Sequence, residues 1–249
     1  MLRRSFGSIA DGYDRFRPGP PEEAVEWALG PQALDVLEIG AGTGGLTRLL
    51  AGRHPHVRAV EPDPRMRAVL HERVAGVEVV AGSAEQIPAA EASCDAVIGA
   101  SMWHWVDEGR ALPEVARVLR PGGSFSLLWS GTDRSVGWMR SLWAGGKELG
   151  EDEVVQRDAR RRGRHVVHLG ARDPFAEPER LVIRWTRLMA KEDLVGMAGT
   201  YSAIITMPAA ERHEYLASMS RSLETHEVPV SQGLVEVPMR CLCWRTVRL

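Results

Sequence analysis

Cysteine is scarce in this chain, and that scarcity excludes a fold built on disulfides. Cys94, Cys241 and Cys243 make an odd set of 3 with no framework spacing, as expected of a reducing compartment. A lone Cys-x-Cys without a nearby histidine also falls short of a zinc ligand set, so no metal is expected. Neither sign of charge is in excess. A formal net charge of -2, from 31 basic and 33 acidic residues, offers no bulk attraction to nucleic acid or to an anionic membrane. Long hydrophobic runs are missing as well: none approaches the length of a membrane span, and Met1 to Gly12 carries arginines without the apolar stretch of a secretory leader. A cytoplasmic protein that does not engage a membrane is the expectation. Internal repeats and low-complexity tracts are also lacking.

What is present is ordinary globular material. The 249 residues are 44% hydrophobic and 26% charged, enough for one large α/β core with an inserted or appended subdomain. From Leu34 to Trp129, short apolar segments alternate with amphipathic ones, which predicts a parallel sheet with helices on both faces. Strands are expected near 34–39, 57–61, 77–80, 95–100 and 123–129. The first helix carries Leu46, Leu49 and Leu50 at i, i+3, i+4. The second opens on Asp63 as N-cap and Pro64 at N1, then repeats the spacing with Met66, Val69 and Leu70. A third, holding Leu112, Val115, Val118 and Leu119, is expected to stop at Pro121-Gly122-Gly123.

After Trp129 the character changes. Residues 131–178 read as a helical excursion, with Trp138 and Trp143 early and an arginine run from Arg157 to Arg164 late, on a solvated helix face or at an acidic ligand. Strands return at 180–189 and 234–247, separated by helical stretches near 191–199 and 208–223. The expected fold is a Rossmann-like, doubly wound, mostly parallel seven-stranded α/β sheet with an inserted helical cap. Residues 1–249 would form a single domain, with an N-terminal lid and helix in 1–30 and the ligand-binding core in 34–130. The cap would occupy 131–178, and 179–249 would complete the sheet.

The segment Leu37-Glu38-Ile39-Gly40-Ala41-Gly42-Thr43-Gly44-Gly45 runs a strand into a glycine cluster that opens a helix. Such a turn lets the backbone approach a ligand closely and presents unpaired N–H groups at the helix start. Glu61, at the end of the second strand, can accept both hydroxyl hydrogens of a ribose. These features predict an adenosine-containing cofactor. Because Gly40, Gly42 and Gly45 also satisfy G-x-G-x-x-G, a nicotinamide dinucleotide and S-adenosylmethionine both fit at this point.

Three further segments separate the two. Glu38 stands two residues before the first glycine, giving E-x-G-x-G-x-G, where dinucleotide enzymes usually carry an apolar residue. Gly82-Ser83-Ala84-Glu85-Gln86-Ile87-Pro88 follows the third strand, and Arg120-Pro121-Gly122-Gly123 precedes the fifth. Together the chain resembles the class I S-adenosylmethionine-dependent methyltransferases, in the branch holding ubiquinone/menaquinone-type and trans-aconitate-type small-molecule enzymes. The resemblance covers most of the chain and includes an N-terminal lid at Phe6 to Asp14 with Arg17-Pro18 beyond. It implies S-adenosyl-L-methionine as cofactor. Gly40, Ala41, Gly42 and Gly44 would line its methionine and ribose, Glu61 the ribose hydroxyls, and Pro62 and Met66 the adenine face. Ser83, Ala84 and Glu85 would meet the adenine edge, with Tyr13, Glu38 and Ser101 completing the cofactor set. Many relatives carry Asp at the position of Ser83, which leaves the Ala84 N–H to read the ring.

The turn Ser101-Met102-Trp103-His104-Trp105 follows the fourth strand, at the carboxyl edge where ligands bind in such folds. Trp103 or Trp105 would stack on a ligand or pack as core. His104, with an imidazole that titrates near neutrality, is the candidate general base, or else a histidine that shapes the turn. Arg17 would grip a substrate carboxylate or form a surface ion pair, and Tyr201 would donate in the acceptor pocket or pack the cap. The expected activity is methyl transfer to a small organic molecule, oxygen favoured. No [DN]-P-P-[YF] follows strand four, which argues against base- and amide-N-methylation. The competing readings are an NAD(P)-dependent oxidoreductase on the same glycine turn, and a binding protein or cyclase of this fold that transfers no methyl.

Overall fold

The computed structural model describes residues 16, 19–30, 32–144, 165–225 and 227–249. Strands β1 (Asp35–Ile39), β2 (His56–Val60), β3 (Glu78–Val80), β4 (Cys94–Ala100) and β5 (Leu119–Thr132) run parallel. Strand β8 (Leu234–Val247) is antiparallel between β5 and β6 (Glu179–Met189). The order is β3-β2-β1-β4-β5-β8-β6, and a two-residue strand β7 (Val230–Ser231) forms a hairpin with β8. All seven expected strands form; β7 is too short to carry a sequence signal. Strand β1 sits between β2 and β4, and its apolar Val36, Leu37 and Ile39 are buried across both faces.

Helices α1 (Glu22–Leu29), α2 (Thr47–Ala51), α3 (Pro64–Arg73) and α4 (Glu108–Val118) flank the parallel part. The start of α3 is as expected: the Asp63 carboxylate accepts from the Arg65 N–H at 2.9 Å, with Pro64 in the first turn. Helix α4 buries Ala111, Leu112, Val115, Ala116 and Val118 against the β4–β5 face. At about 1.5–3 kcal/mol for each large aliphatic group, this face is a principal source of sheet–helix cohesion. On the other face α1 packs against Leu128, Cys241 and Cys243, and the Ser126 hydroxyl donates to the Ala28 carbonyl at 2.7 Å.

The end of α4 departs from expectation. Leu119 is not helical: it is extended and pairs with Cys94 as the first residue of β5, and regular pairing resumes at Ala96 with Ser124. Pro121 disfavours helical backbone at Arg120, so the chain leaves the helix before Pro121-Gly122-Gly123 rather than at it. Gly123 then lies where a Cβ would stand 2.9 Å from the carbonyl oxygens of Arg120 and Asp95.

Of the excursion expected at 131–178, the described residues give α5 (Gly137–Trp143) and an irregular stretch from 165 to 178. Val167 and Phe175 from that stretch join the core beside Trp244. The arginine run from Arg157 to Arg164 lies outside the described residues. Helices α6 (Lys191–Gly199), α7 (Ser202–Ile205) and α8 (Ala209–Thr225) pack with α5 on the end of the antiparallel strands, around Met189, Val235, Val237 and Met239. Among the described residues no helix is long and apolar enough to cross a membrane.

Candidate active site

The glycine turn is built as its residue types require. Gly40, Gly42 and Gly44 have φ of 65, 59 and 93°, a region that side chains rarely adopt. The turn is anchored by the Gly40 and Ala41 N–H groups, which donate to the Val60 carbonyl at 2.8 and 3.1 Å. The three glycines serve different ends. A Cβ on Gly40 would stand 2.9 Å from the Met102 side chain, and one on Gly44 would stand 2.4 Å from Leu70 Cδ1; beside Gly42 there is open space. Gly40 and Gly44 thus let the turn sit down on its supports, while Gly42 keeps the outer side clear for a ligand.

Glu61 faces this turn. It is buried, its Oε2 accepts from the Gly42 N–H at 2.9 Å, and its Oε1 accepts from the Asp63 N–H at 2.8 Å. Burial raises its pKa, and the two backbone hydrogen bonds pull against that. Each carboxylate oxygen keeps a lone pair beyond the bond it makes, so the group has acceptor capacity left for ribose hydroxyls. The backbone conformation, the open side of Gly42 and this carboxylate fit the adenosine and methionine ends of S-adenosylmethionine.

Glu38 lies deeper, on β1, and is buried behind the turn. The Thr47 hydroxyl donates to its Oε2 at 2.6 Å. Burial, aided by the nearby Glu61 charge and opposed by the Thr47 bond, pushes its pKa from 4.5 to about 8. Folding therefore takes up a proton that the unfolded chain releases. The Glu38 contribution to stability is complete below pH 4.5 and is lost as pH rises towards about 8. Glu38→Gln should remove a slope approaching ~1.4 kcal/mol per pH unit across that window. Urea unfolding of both proteins at pH 5, 6, 7 and 8 reads this directly, and parallel stability–pH curves would refute it.

The remaining expected residues fall into distinct places. Ala41, Met66 and Ala84 are buried, and Pro62 and Ser83 line an open cleft of about 740 Å³. Ser83 and Gln86 bond each other's backbone, which closes the loop after β3; Glu85 Oε1 accepts from the Asp107 N–H at 3.1 Å. Ser101 follows β4 with φ 54°, its N–H held by the Leu128 carbonyl at 2.8 Å. Trp103, His104 and Trp105 form a single 3-10 turn. Trp103 is core: it is 2% exposed, its indole N–H donates to Glu108 at 2.7 Å, and its ring lies 5.2 Å from Phe125. His104 is exposed, with its ring 4.9 Å from the half-buried Trp105. Tyr201 lies edge-on to Trp143 at 4.8 Å. Tyr13 and Arg17 lie outside the described residues.

Sequence reasoning passed over several supporting groups. Thr47 is the partner of Glu38, and Glu114 with Arg117 clamps the loop after β3. Glu114 Oε2 accepts from the Ile87 N–H at 2.9 Å, and Arg117 donates to the Ile87 and Ala89 carbonyls at 2.9 and 2.7 Å. Helical spacing places Glu114 and Arg117 one turn apart, but only folding brings them to the loop. Arg120 of the Arg-Pro-Gly-Gly segment lies at the opposite edge of the sheet, paired to Asp35 at 2.9 Å and also to Asp95. That segment holds strand ends together.

Residues 37–127, from β1 through the site to β5, match the family model described as a methyltransferase domain. An uncharacterized methyltransferase of Mycobacterium tuberculosis is 38% identical over 241 residues, which span 97% of this chain and 94% of its own. The chain belongs to the class I S-adenosylmethionine-dependent methyltransferases. A malonyl-[acyl-carrier protein] O-methyltransferase of Methylococcus capsulatus is 31% identical over 150 residues, 56% of this chain and 54% of that one. Among solved structures, a candidate type II methyltransferase of Anaeromyxobacter dehalogenans covers 94% of this chain and 98% of its own, with TM-score 0.62 and 24% identity. The sheet and its flanking helices are the methyltransferase fold.

Proposed function

We propose that this enzyme binds S-adenosyl-L-methionine on the Gly40–Gly44 turn and transfers its methyl group to a small organic acceptor, at a hydroxyl or carboxylate oxygen. The observation that carries this reading is the Glu61 carboxylate set against the open side of Gly42. When bound, the cofactor supplies a methyl group on a positively charged sulfur. What the chain adds is placement and exclusion of water: alignment alone can be worth roughly 7–11 kcal/mol. Glu61 would hold the ribose, the glycine turn the methionine end, and Pro62, Met66 and the Ser83–Glu85 loop the adenine. Isothermal titration tests the donor assignment. S-adenosylhomocysteine should bind and NADH should not; the reverse would overturn it.

His104 is the residue proposed to take the acceptor proton, because it is exposed on the turn at the carboxyl edge of β4. General-base assistance of this kind contributes about 10²–10⁴-fold. His104→Ala should therefore lower kcat at least tenfold while the dissociation constant for S-adenosylhomocysteine stays within twofold. Turnover that matches the unmodified enzyme would remove His104 from the mechanism.

A further inference from the structure

The cleft beside Pro62 and Ser83 has more room than the base of the cofactor needs. Its volume is about 740 Å³; Pro62 forms one wall, and the loop after β3, backed by Glu114 and Arg117 of α4, forms the other. Pockets of about 300–1,000 Å³ take up whole drug-sized ligands, of which an adenine ring is a small part.

Each wall is fixed on its own. Arg67 of α3 donates through Nη1 to the Glu61 and Pro62 carbonyls at 2.7 and 2.9 Å. Across the cleft, Glu114 and Arg117 pin the loop through Ile87 and Ala89. Pro88 folds back on the start of that loop, where a Cβ on Gly82 would stand 2.6 Å from Pro88 Cδ. At the base the Glu61 N–H joins the two sides, donating to the Val80 carbonyl at 3.1 Å. Walls braced in this way are organised before a ligand arrives, so filling the cleft costs little ordering.

The lining carries no net charge from its one ion pair. Arg117 donates to Glu114 through Nε at 2.7 Å and through Nη2 at 2.8 Å. Pro62, Ile87 and Pro88 give apolar surface, and the exposed Gln86 adds a neutral amide. At the edge assigned to adenine stands Ser83, whose side chain is short. A neutral, largely apolar group suits this space, and a phosphate or carboxylate does not.

We infer that the donor site accepts S-adenosyl compounds carrying an apolar or aromatic substituent on the exocyclic amine of adenine, with the substituent lying in the cleft between Pro62 and Pro88. The inference rests on the methyltransferase reading, which sets the adenine edge at Ser83, and it adds a donor specificity to that reading. A singly substituted amine keeps one N–H to donate to the Ser83 hydroxyl.

Isothermal titration of the unmodified protein compares S-adenosylhomocysteine with its derivative benzylated on the adenine amine. The derivative should bind within fivefold of the parent, and a greater loss overturns the inference. Ser83→Asp, which lengthens the side chain at the adenine edge and sets a charge before the benzyl group, should make the derivative at least tenfold weaker than the parent. Ala81→Trp, which fills the cleft from the end of β3, should do the same while parent affinity stays within threefold. Discrimination in either variant supports the placement, so the test survives if one of them does not fold. Equal binding of parent and derivative in both would put the benzyl group outside the cleft and overturn the inference. Failure of the unmodified protein to bind S-adenosylhomocysteine would instead refute the donor assignment, and the two failures are thereby distinct.

Discussion

Gly44→Val is expected to lower the stability of the protein by about 2–5 kcal/mol. The estimate combines about 1–2 kcal/mol for a side chain at positive φ with about 1–3 kcal/mol for overpacking. Gly44 has φ 93°, and its Cβ position is 2.4 Å from Leu70 Cδ1 and 3.1 Å from Val74 Cγ2, both buried residues packed beneath the turn. Against a total stability of about 5–15 kcal/mol, such a loss is a large fraction of what holds the fold. Gly42→Ala is the matched control. Gly42 has φ 59° and open space around its Cβ position. Only the backbone term of about 1–2 kcal/mol applies there, so the alanine variant should fold. Its methyl group then projects to the side on which the cofactor is placed, and S-adenosylhomocysteine affinity should fall at least tenfold. Urea unfolding and isothermal titration on both variants make the comparison. Equal stability losses at the two positions would show that the turn does not divide support from ligand contact in this way.

Glu61→Ala should abolish measurable cofactor binding in a protein that remains folded. Hydrogen bonds to a charged acceptor contribute about 1.5–3 kcal/mol each, so losing two ribose contacts costs about 3–6 kcal/mol, at least a hundredfold in affinity. Part of the effect passes through the turn itself, because the same carboxylate accepts the N–H groups of Gly42 and Asp63. Glu61→Gln sharpens the point. An amide has one acceptor oxygen where the carboxylate has two, so one of those N–H groups would face an NH₂. The glutamine variant should therefore bind S-adenosylhomocysteine well below the unmodified protein despite its near-identical shape. Affinity within threefold of the unmodified protein in either variant would refute the assigned role.

Much of this was legible in the chain because the signals are local. Alternating apolar segments, the Asp63-Pro64 helix start and the glycine positions each depend on residues a few places apart, and each appears where expected. The misplaced end of α4 shows the limit of such signals: helical periodicity carried through Leu119, yet Pro121 and the pairing of Leu119 with Cys94 decided the boundary. Trp103 shows another limit. Its place just past β4 is compatible with a ligand contact or with core, and only the packing against Phe125 and the bond to Glu108 put it in the core.

The order of the glycine turn, the acidic residue after β2, the loop after β3 and the Arg-Pro-Gly-Gly segment was enough to determine the fold class and the methyltransferase family, since each is a short stretch whose backbone needs particular residues. The sequence could not say at which edge of the sheet each of those stretches lies. That was decided by the register of the sheet, which carries Gly40 and Glu61 to its carboxyl edge and Arg120 to the opposite one. Nor could it pair Glu38 with Thr47, or bring Arg134 and Trp143 beside Tyr201. These contacts join separate elements, and their distances depend on packing that no local pattern encodes.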